Sequence, residues 1–319
     1  MRHCPECGIL RGYGRNFRWT PDGTIIARDP GRTRFAFLEV DELNALISGV
    51  SDHIGLPIDH IVFQAEKEVG RRFIDTRAPS LIARIPRTRL TRPRFAARLI
   101  TRFVGYFMVG LGLGRAKMGT YRSAESTDLW LFDPYCVPLL VGDTAGMLEY
   151  FDHVTMDANW EELEDGSFHV KLWKSDDMFT AEERLTYEKP AYIQGQVKHD
   201  YFRRCNVPLA VTENLMWVMD KGIIKNKHTM VREVPVPAES FFAVFRELER
   251  ELGHEVPALI EELEGKYRRE RSVKYSSLQD VNEPSDLFTD FPWRGIGNPV
   301  KAARTEGGLE IILTSAIIM

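Results

Sequence analysis

NFRWTPDGTIIARD at 16–29 and NLMWVMDKGIIKNK at 214–227 are two versions of one stretch, placing Asn16, Trp19, Asp22, Ile25 and Ile26 opposite Asn214, Trp217, Asp220, Ile223 and Ile224. The match extends in almost gapless register from Cys7 to Arg72 and from Cys205 to Glu270, through Arg34 and Arg232, Gly55 and Gly253, Glu66 and Glu264, and Arg71 and Arg269. Solenoid units repeat every 20–50 residues or so, and this period is far longer, so it marks a duplicated domain. Two like domains in one chain are expected to pack as an internal pseudo-dimer.

Each copy tests the other. After Trp19 and its Asp22-Gly23 turn come Val40, Leu43, Leu46, Ile47, Val50 and Ile54, spaced by three and four like one buried helical face, and Gly55 ends the run. Ala238, Phe241, Val244, Phe245, Leu248 and Leu252 keep that face and Gly253 keeps the stop. A second helix carries Ile58, Ile61, Val62, Ala65 and Val69, answered by Val256, Leu259, Ile260, Leu263 and Tyr267. Each copy then reaches a Gly-x-Gly turn, Gly112 to Gly114 and Gly295 to Gly297, followed by strand-like sequence. In the first copy this continues as a hairpin over Tyr121 to Phe132, a helix near Asp143 to His153, and a closing hairpin across Asp165-Gly166. The order predicts an α+β fold in which a helix pair packs on an antiparallel sheet. The predicted layout is a cysteine-containing segment 1–18, a first domain 19–175, a linker 176–204, and a second domain 205–319. This second copy is expected to be incomplete, since LEIILTSAIIM at 309–319 aligns with LWLFDPYCVPL at 129–139, and the helix and hairpin that complete the first copy have no counterpart in the sequence. So apolar a final strand is either cut short or covered by a partner chain or a second copy.

Composition sets outer bounds. The 319 residues hold 42 basic and 46 acidic side chains, with a pI near 6.1, which gives no bias toward nucleic acid. Four cysteines make no disulfide scaffold and the opening MRHCPECG has no apolar leader core, so a cytoplasmic protein is expected. The longest apolar run, Phe103 to Gly114, is too short to span a bilayer.

The segments GLGRAKMGTYRSAE (112–125) and FDPYCVPLLVGDTAGMLEYFDHVTMDANWEELEDGSFHVKLWKS (132–175) resemble the 4-vinyl reductase-like, or hydrocarbon-binding, domain. The resemblance lies in the order hairpin, apolar and glycine-rich helix, acidic-headed strand pair, with Leu140, Val141, Gly142, Gly146 and Glu149 in the helix. It implies two tandem domains of this type, in a fold shared with haem-based nitric-oxide sensors and acyl-chain-holding trafficking subunits. Such a fold encloses an apolar ligand between helices and sheet. Many members carry a zinc-binding cysteine cluster late in the domain, and here Glu164 to Lys174 contains no cysteine.

Cys4-Pro5-Glu6-Cys7-Gly8 is instead a zinc-knuckle half-site at the N-terminus. The repeat places Cys205 opposite Cys7, with His199 just before it, so Cys4, Cys7, Cys205 and His199 form a candidate structural zinc clamp between the copies. The alternative is two thiols on an exposed tail and a packed Cys205. Cys136, on a buried-looking segment, is read as a core thiol. Trp19, Phe103, Tyr106, Phe107, Trp130 and Tyr135 are candidate pocket aromatics, the alternative being ordinary core. From Thr76 to Ala124 there is no acidic residue. The cations of 77–122, with Arg84, Arg87, Arg89, Arg92, Arg94 and Arg98 at their centre, suit an anionic membrane face or a phosphate-bearing ligand, or else a solvated loop paired with acids elsewhere. No P-loop, Gly-x-Ser-x-Gly, His-Glu-x-x-His, nucleotide or flavin signature is present.

These observations predict non-enzymatic binding of an apolar or aromatic small molecule of hydrocarbon, acyl or tetrapyrrole type, as a sensor or accessory subunit. Two further readings stay open: a subunit of a reductase acting on a vinyl-bearing tetrapyrrole, and a scaffold that recruits a partner through an open sheet edge.

Overall fold

The computed structural model describes residues 3–28, 32–77, 108–176, 197–202, 204–275, 289–305 and 308–314. Among them the chain runs α1 (Arg11–Asn16), β1 (Phe17–Trp19), β2 (Ile25–Ala27), β3 (Arg34–Glu39), α2 (Val40–Ile54) and α3 (Asp59–Arg77). It continues with α4 (Val109–Leu111), β4 (Arg115–Arg122), β5 (Ser126–Phe132), α5 (Val137–Asp152), β6 (Met156–Glu162) and β7 (Phe168–Lys174). The same order then returns as α6 (Leu209–Asn214), β8 (Leu215–Val218), β9 (Ile223–Asn226), β10 (Arg232–Pro237), α7 (Ala238–Leu252), α8 (Val256–Tyr275), α9 (Phe291–Arg294), β11 (Asn298–Thr305) and β12 (Gly308–Thr314). The fold is α+β. Gly55 and Gly253 cap α2 and α7 at matching places, donating to the carbonyls of Ser51 and Glu249.

The two halves do not bury separate cores. They share one six-stranded antiparallel sheet of order β1-β2-β3-β10-β9-β8, which reads the same in both halves from the outside inward. The join is β3 against β10, where Phe37 pairs with Pro235 and, on either side, Phe35 with Pro237 and Glu39 with Glu233. Phe37 and Pro235 are matched positions of the sequence repeat, and here they stand opposite each other in the ladder. β9 reaches only Arg232 and Glu233 of β10, so Pro235 and Pro237 sit where no N–H is needed on that edge. One hydrophobic cluster runs across the join and includes Phe37, Leu46, Val62, Ile224, Val244 and Leu248.

Each half also grips the glycine turn of the other. Trp19 Nε1 donates to the carbonyl of Trp293 at 2.8 Å, and Trp217 Nε1 donates to that of Gly110 at 3.1 Å. Arg34 Nη2 donates to Gly295 O and Ile296 O, both at 3.3 Å. Arg232 Nη2 donates to Gly112 O at 3.0 Å and Asp133 O at 2.7 Å. The tryptophan bonds, and those of Arg34 to Gly295 and Arg232 to Gly112, join positions matched in the repeat, while the bonds to Ile296 and Asp133 are each made once. The tight turns sit directly on the partner sheet, where a Cβ on Gly112 would lie 2.7 Å from Ile224 Cγ1.

A second sheet, β4-β5-β7-β6, stands beside α5 and belongs to the first half. Its counterpart in the second half is the pair β11 and β12, to which the described residues add no further strand. Along β5, Thr127, Leu129 and Leu131 are buried while Asp128 and Trp130 face the other way, as the two-residue period of a half-covered strand requires.

Two glycines separate backbone strain from packing. Gly112 (φ +74) is pressed against Ile224, whereas Gly166 (φ +75) in the β6–β7 hairpin has open space around it. Gly112→Ala should lower unfolding free energy by about 2–4 kcal/mol, left-handed strain plus overpacking, and Gly166→Ala by only about 1 kcal/mol. Urea titration of both variants measures the difference, and equal losses would refute the cross-half packing.

Candidate functional site

The crossing of α3 and α5 builds the first candidate site. Gly142 and Gly146 let the helix backbones meet, since a Cβ on Gly146 would lie 2.0 Å from the carbonyl of Lys67. Lys67 Nζ then bonds Glu149 at 3.2 Å and the carbonyl of Met156 at 2.9 Å, fixing α5 along α3 and β6. Between this helix pair, the Leu111–Leu113 turn and the β3–β10 join lies a cavity. Phe35, Val69, Phe73, Leu111, Leu113, Met147 and Val236 make its apolar walls, and Tyr135, Asp143 and Ser240 bring polar groups to it. Its free volume is about 40 Å³, room for one or two waters, so a larger guest must displace side chains. Met147 and Leu111 have the rotameric freedom to yield.

A carboxyl pair stands at the polar end. Glu66 is 1% exposed, accepts a hydrogen bond from Ser240 Oγ at 2.8 Å, and stands near Asp143. Burial pushes the Asp143 carboxyl up to about 7, and burial together with the Asp143 charge holds Glu66 well above the usual carboxylate range. Near neutral pH the pair therefore retains a proton and can both donate and accept hydrogen bonds. Burial and the same two acids also raise the Tyr135 hydroxyl, which stays neutral.

The equivalent place in the other half is filled. Where the cavity has Phe35, Val69, Gly70, Phe73, Leu111 and Pro237, that half has Glu233, Tyr267, Arg268, Arg271, Arg294 and Glu39. Arg294, itself buried, bonds Glu233 at 2.8 Å and Asp290 at 3.1 Å, Arg271 pairs with Glu39, and Tyr267 donates to Glu39 at 3.0 Å. Burial lifts Glu233 to about 7 against the pull of Arg294. Glu42, equivalent to Ser240, takes Arg268 Nε at 3.3 Å.

The sequence-predicted aromatics fall in different places. Tyr135 lines the cavity. Trp19 is buried in the central sheet with its indole committed to Trp293, and Trp130 stacks on His169 at 5.0 Å on the outer face of β5, so neither reaches the cavity. Phe103, Tyr106 and Phe107, and the arginines Arg84, Arg87, Arg89, Arg92, Arg94 and Arg98, lie outside the described residues. A groove near the end of α3 exposes Arg71 and Arg72, and both pair with Glu68, at 2.9 and 2.6 Å. Glu66, Asp143 and Ser240 were not anticipated. Asp143 within an apolar glycine-rich helix was the one available signal.

The second site is a thiol cluster. Cys4, Cys7 and Cys205 place their Sγ atoms within 4.8 Å of one another, a set that can hold a metal ion, with Cys7 and Cys205 3.1 Å apart. Cys205 is brought in because α1 passes against its carbonyl at Gly14, where a Cβ would lie 1.4 Å from that oxygen. Glu6 Oε2 accepts from the Arg204 N–H at 3.0 Å and ties the two turns together. Backbone N–H groups of Cys7 and Glu6 hold the Cys4 thiol below its ordinary range, while burial and Cys205 push Cys7 up to about 12. His199 does not join the cluster: it bonds the backbone of Thr20, and burial lowers its pKa. Cys136 is buried and its thiol is pushed up to about 12, as expected of an inert core residue.

No family model matches the chain, and no curated protein matches it. Among solved structures, an Fe(II) unliganded H-NOX protein mutant from K. algicida is 14% identical, with a TM-score of 0.29, covering 40% of this chain and 69% of its own. A structure titled for modulating heme redox potential through protein-induced porphyrin distortion is 17% identical, with a TM-score of 0.26, covering 48% of this chain and 77% of its own. No helix among the described residues is long and apolar enough to cross a membrane.

The acid pair makes stability depend on pH. A carboxyl whose folded pKa exceeds its unfolded value binds more protons when folded, so stability falls as pH rises from about 4 to about 7. Asp143→Asn removes the titrating group and keeps its shape. It should flatten that fall and raise stability at about pH 8 by on the order of 1–3 kcal/mol, read from melting temperatures across the pH range. An unchanged pH profile would show that Asp143 is not the group responsible.

Proposed function

We propose that the protein is a non-enzymatic binding protein with 4-vinyl reductase-like character, enclosing an apolar or aromatic small molecule in the cavity between α3, α5 and the β3–β10 join. The observation that carries this reading is the asymmetry between equivalent places. One half fills the space with Arg294, Arg271, Tyr267 and their acids, and the other keeps it apolar with Leu111, Phe73, Val69 and Phe35. A space left partly empty on one side, apolar along most of its wall and with Asp143, Ser240 and Tyr135 bringing polar groups to it, has the make-up of a small-molecule site. Burial of hydrocarbon surface, about 25 cal/mol per Å², drives binding against the cost of moving Met147 and Leu111 aside. Asp143, Ser240 and Tyr135 orient a polar group of the ligand through hydrogen bonds. The thiol trio holds a structural zinc ion that joins the N-terminal turn to the second half.

Native mass spectrometry of the purified protein, followed by denaturation and identification of what is released, tests the ligand reading. An apolar molecule at about one per chain is expected. Val69→Tyr, which installs the residue found at the equivalent place, should lower occupancy by about tenfold or more while leaving zinc content unchanged. An empty wild-type protein that takes up no apolar dye would overturn the reading.

A further inference from the structure

The thiol cluster is built from two copies of one turn. In the first, His3 and Leu10 form a bridge, the Cys4 N–H donates to Ile9 O at 2.8 Å, the Gly8 N–H donates to Cys4 O at 2.9 Å, and Gly8 has φ +73. In the second, Tyr201 and Pro208 form the bridge, Phe202 donates to Val207 O at 3.2 Å, Asn206 donates to Phe202 O at 3.3 Å, and Asn206 has φ +54. Asparagine is the non-glycine residue that best tolerates that conformation. Two such turns facing each other offer four ligand positions, 4, 7, 202 and 205. Three hold cysteine and the fourth, equivalent to Cys4, holds Phe202.

Among the described residues no other side chain completes the set. His3 Nδ1 bonds Gly8 O at 2.9 Å, Glu6 Oε2 bonds the Arg204 N–H at 3.0 Å, and His199 is turned to Thr20. Cys4 is buried, and Cys7 and Cys205 are each partly exposed, so the cluster has a solvent side. Closed structural zinc sites use four protein ligands, whereas sites with three keep a position for an outside donor.

We infer that Cys4, Cys7 and Cys205 form an open three-thiolate site for a thiophilic divalent ion such as zinc, whose fourth coordination position is left to an exogenous donor because Phe202 stands in place of the fourth thiolate. The inference rests on the zinc reading above and replaces a closed clamp by an exchangeable one. Loading releases the thiol protons to solvent and involves no change of oxidation state.

Cobalt(II) substitution of the reduced full-length protein reports ligand set and exchange together. Wild type should show thiolate-to-cobalt absorption whose visible bands shift when mercaptoethanol or imidazole is added. Phe202→Cys should abolish that shift and tighten zinc binding by about tenfold or more, and Phe202→His serves as a second closing variant. Cobalt bound to wild type with bands indifferent to both additives would overturn the open position while leaving the metal reading intact. Failure of wild type to bind cobalt or zinc, or recovery of a Cys7–Cys205 disulfide from protein purified under reducing conditions, would overturn both.

Discussion

Everything in this fold hangs on the pairing of β3 with β10. Each half contributes three strands, and neither set could cover its own innermost edge, because an unpaired edge leaves a row of backbone donors and acceptors without partners. The antiparallel join satisfies both edges at once and puts Phe37 against Pro235. It also dictates the reciprocal grip of Trp19 on Trp293 and Trp217 on Gly110, since only a glycine turn can approach the far sheet closely enough to accept those bonds. Matching tryptophan and arginine bonds hold each half to the turn of the other, so their stability is shared.

Where positions match in the sequence repeat, their differences are informative. At one end of the join, Glu39 faces Glu233 directly across the ladder, an arrangement that repels unless a cation intervenes. Arg294 supplies it from α9, with Arg271 and Tyr267 adding bonds to Glu39. Burying such a network gives little net stability over a hydrophobic filling, although removing one partner would strand a buried charge. At the other end the same positions carry Phe35, Pro237 and Leu111, and the space beside them stays open to Asp143 and Tyr135. The thiol cluster repeats the pattern: similar turns hold Cys4 and Phe202 at matched positions, and only one of the two is a sulfur donor.

The acid pair and the thiol trio share a physical logic. Both collect groups that would repel if all were ionised, and both are tolerable because something compensates. A retained proton does so between Glu66 and Asp143, and a cation would do so among three sulfurs.

The sequence by itself determined the local structure. Helical spacing from Val40 to Ile54, glycine stops at Gly55 and Gly253, the turn at Gly166 and the repeat of Trp19 in Trp217 are all written in neighbouring residues, because they depend on backbone geometry and short-range periodicity. The convergence of Cys4 and Cys7 with Cys205 was legible too, since the repeat placed Cys205 opposite Cys7. Tertiary structure decided the rest. The two-residue period shows that Leu129 and Leu131 oppose Trp130 without showing which face is covered, and the sheet turned Trp130 outward. His199 lies close to Cys205 in the chain, yet its side chain follows Thr20. Glu66, Asp143 and Ser240 come from three helices far apart in sequence and meet only because Gly142 and Gly146 bring α5 onto α3 and the β3–β10 join brings α7 across. Pattern along a chain fixes which way a local segment bends. Which distant side chains share a cavity depends on how whole elements cross, and that is set by packing summed over both halves.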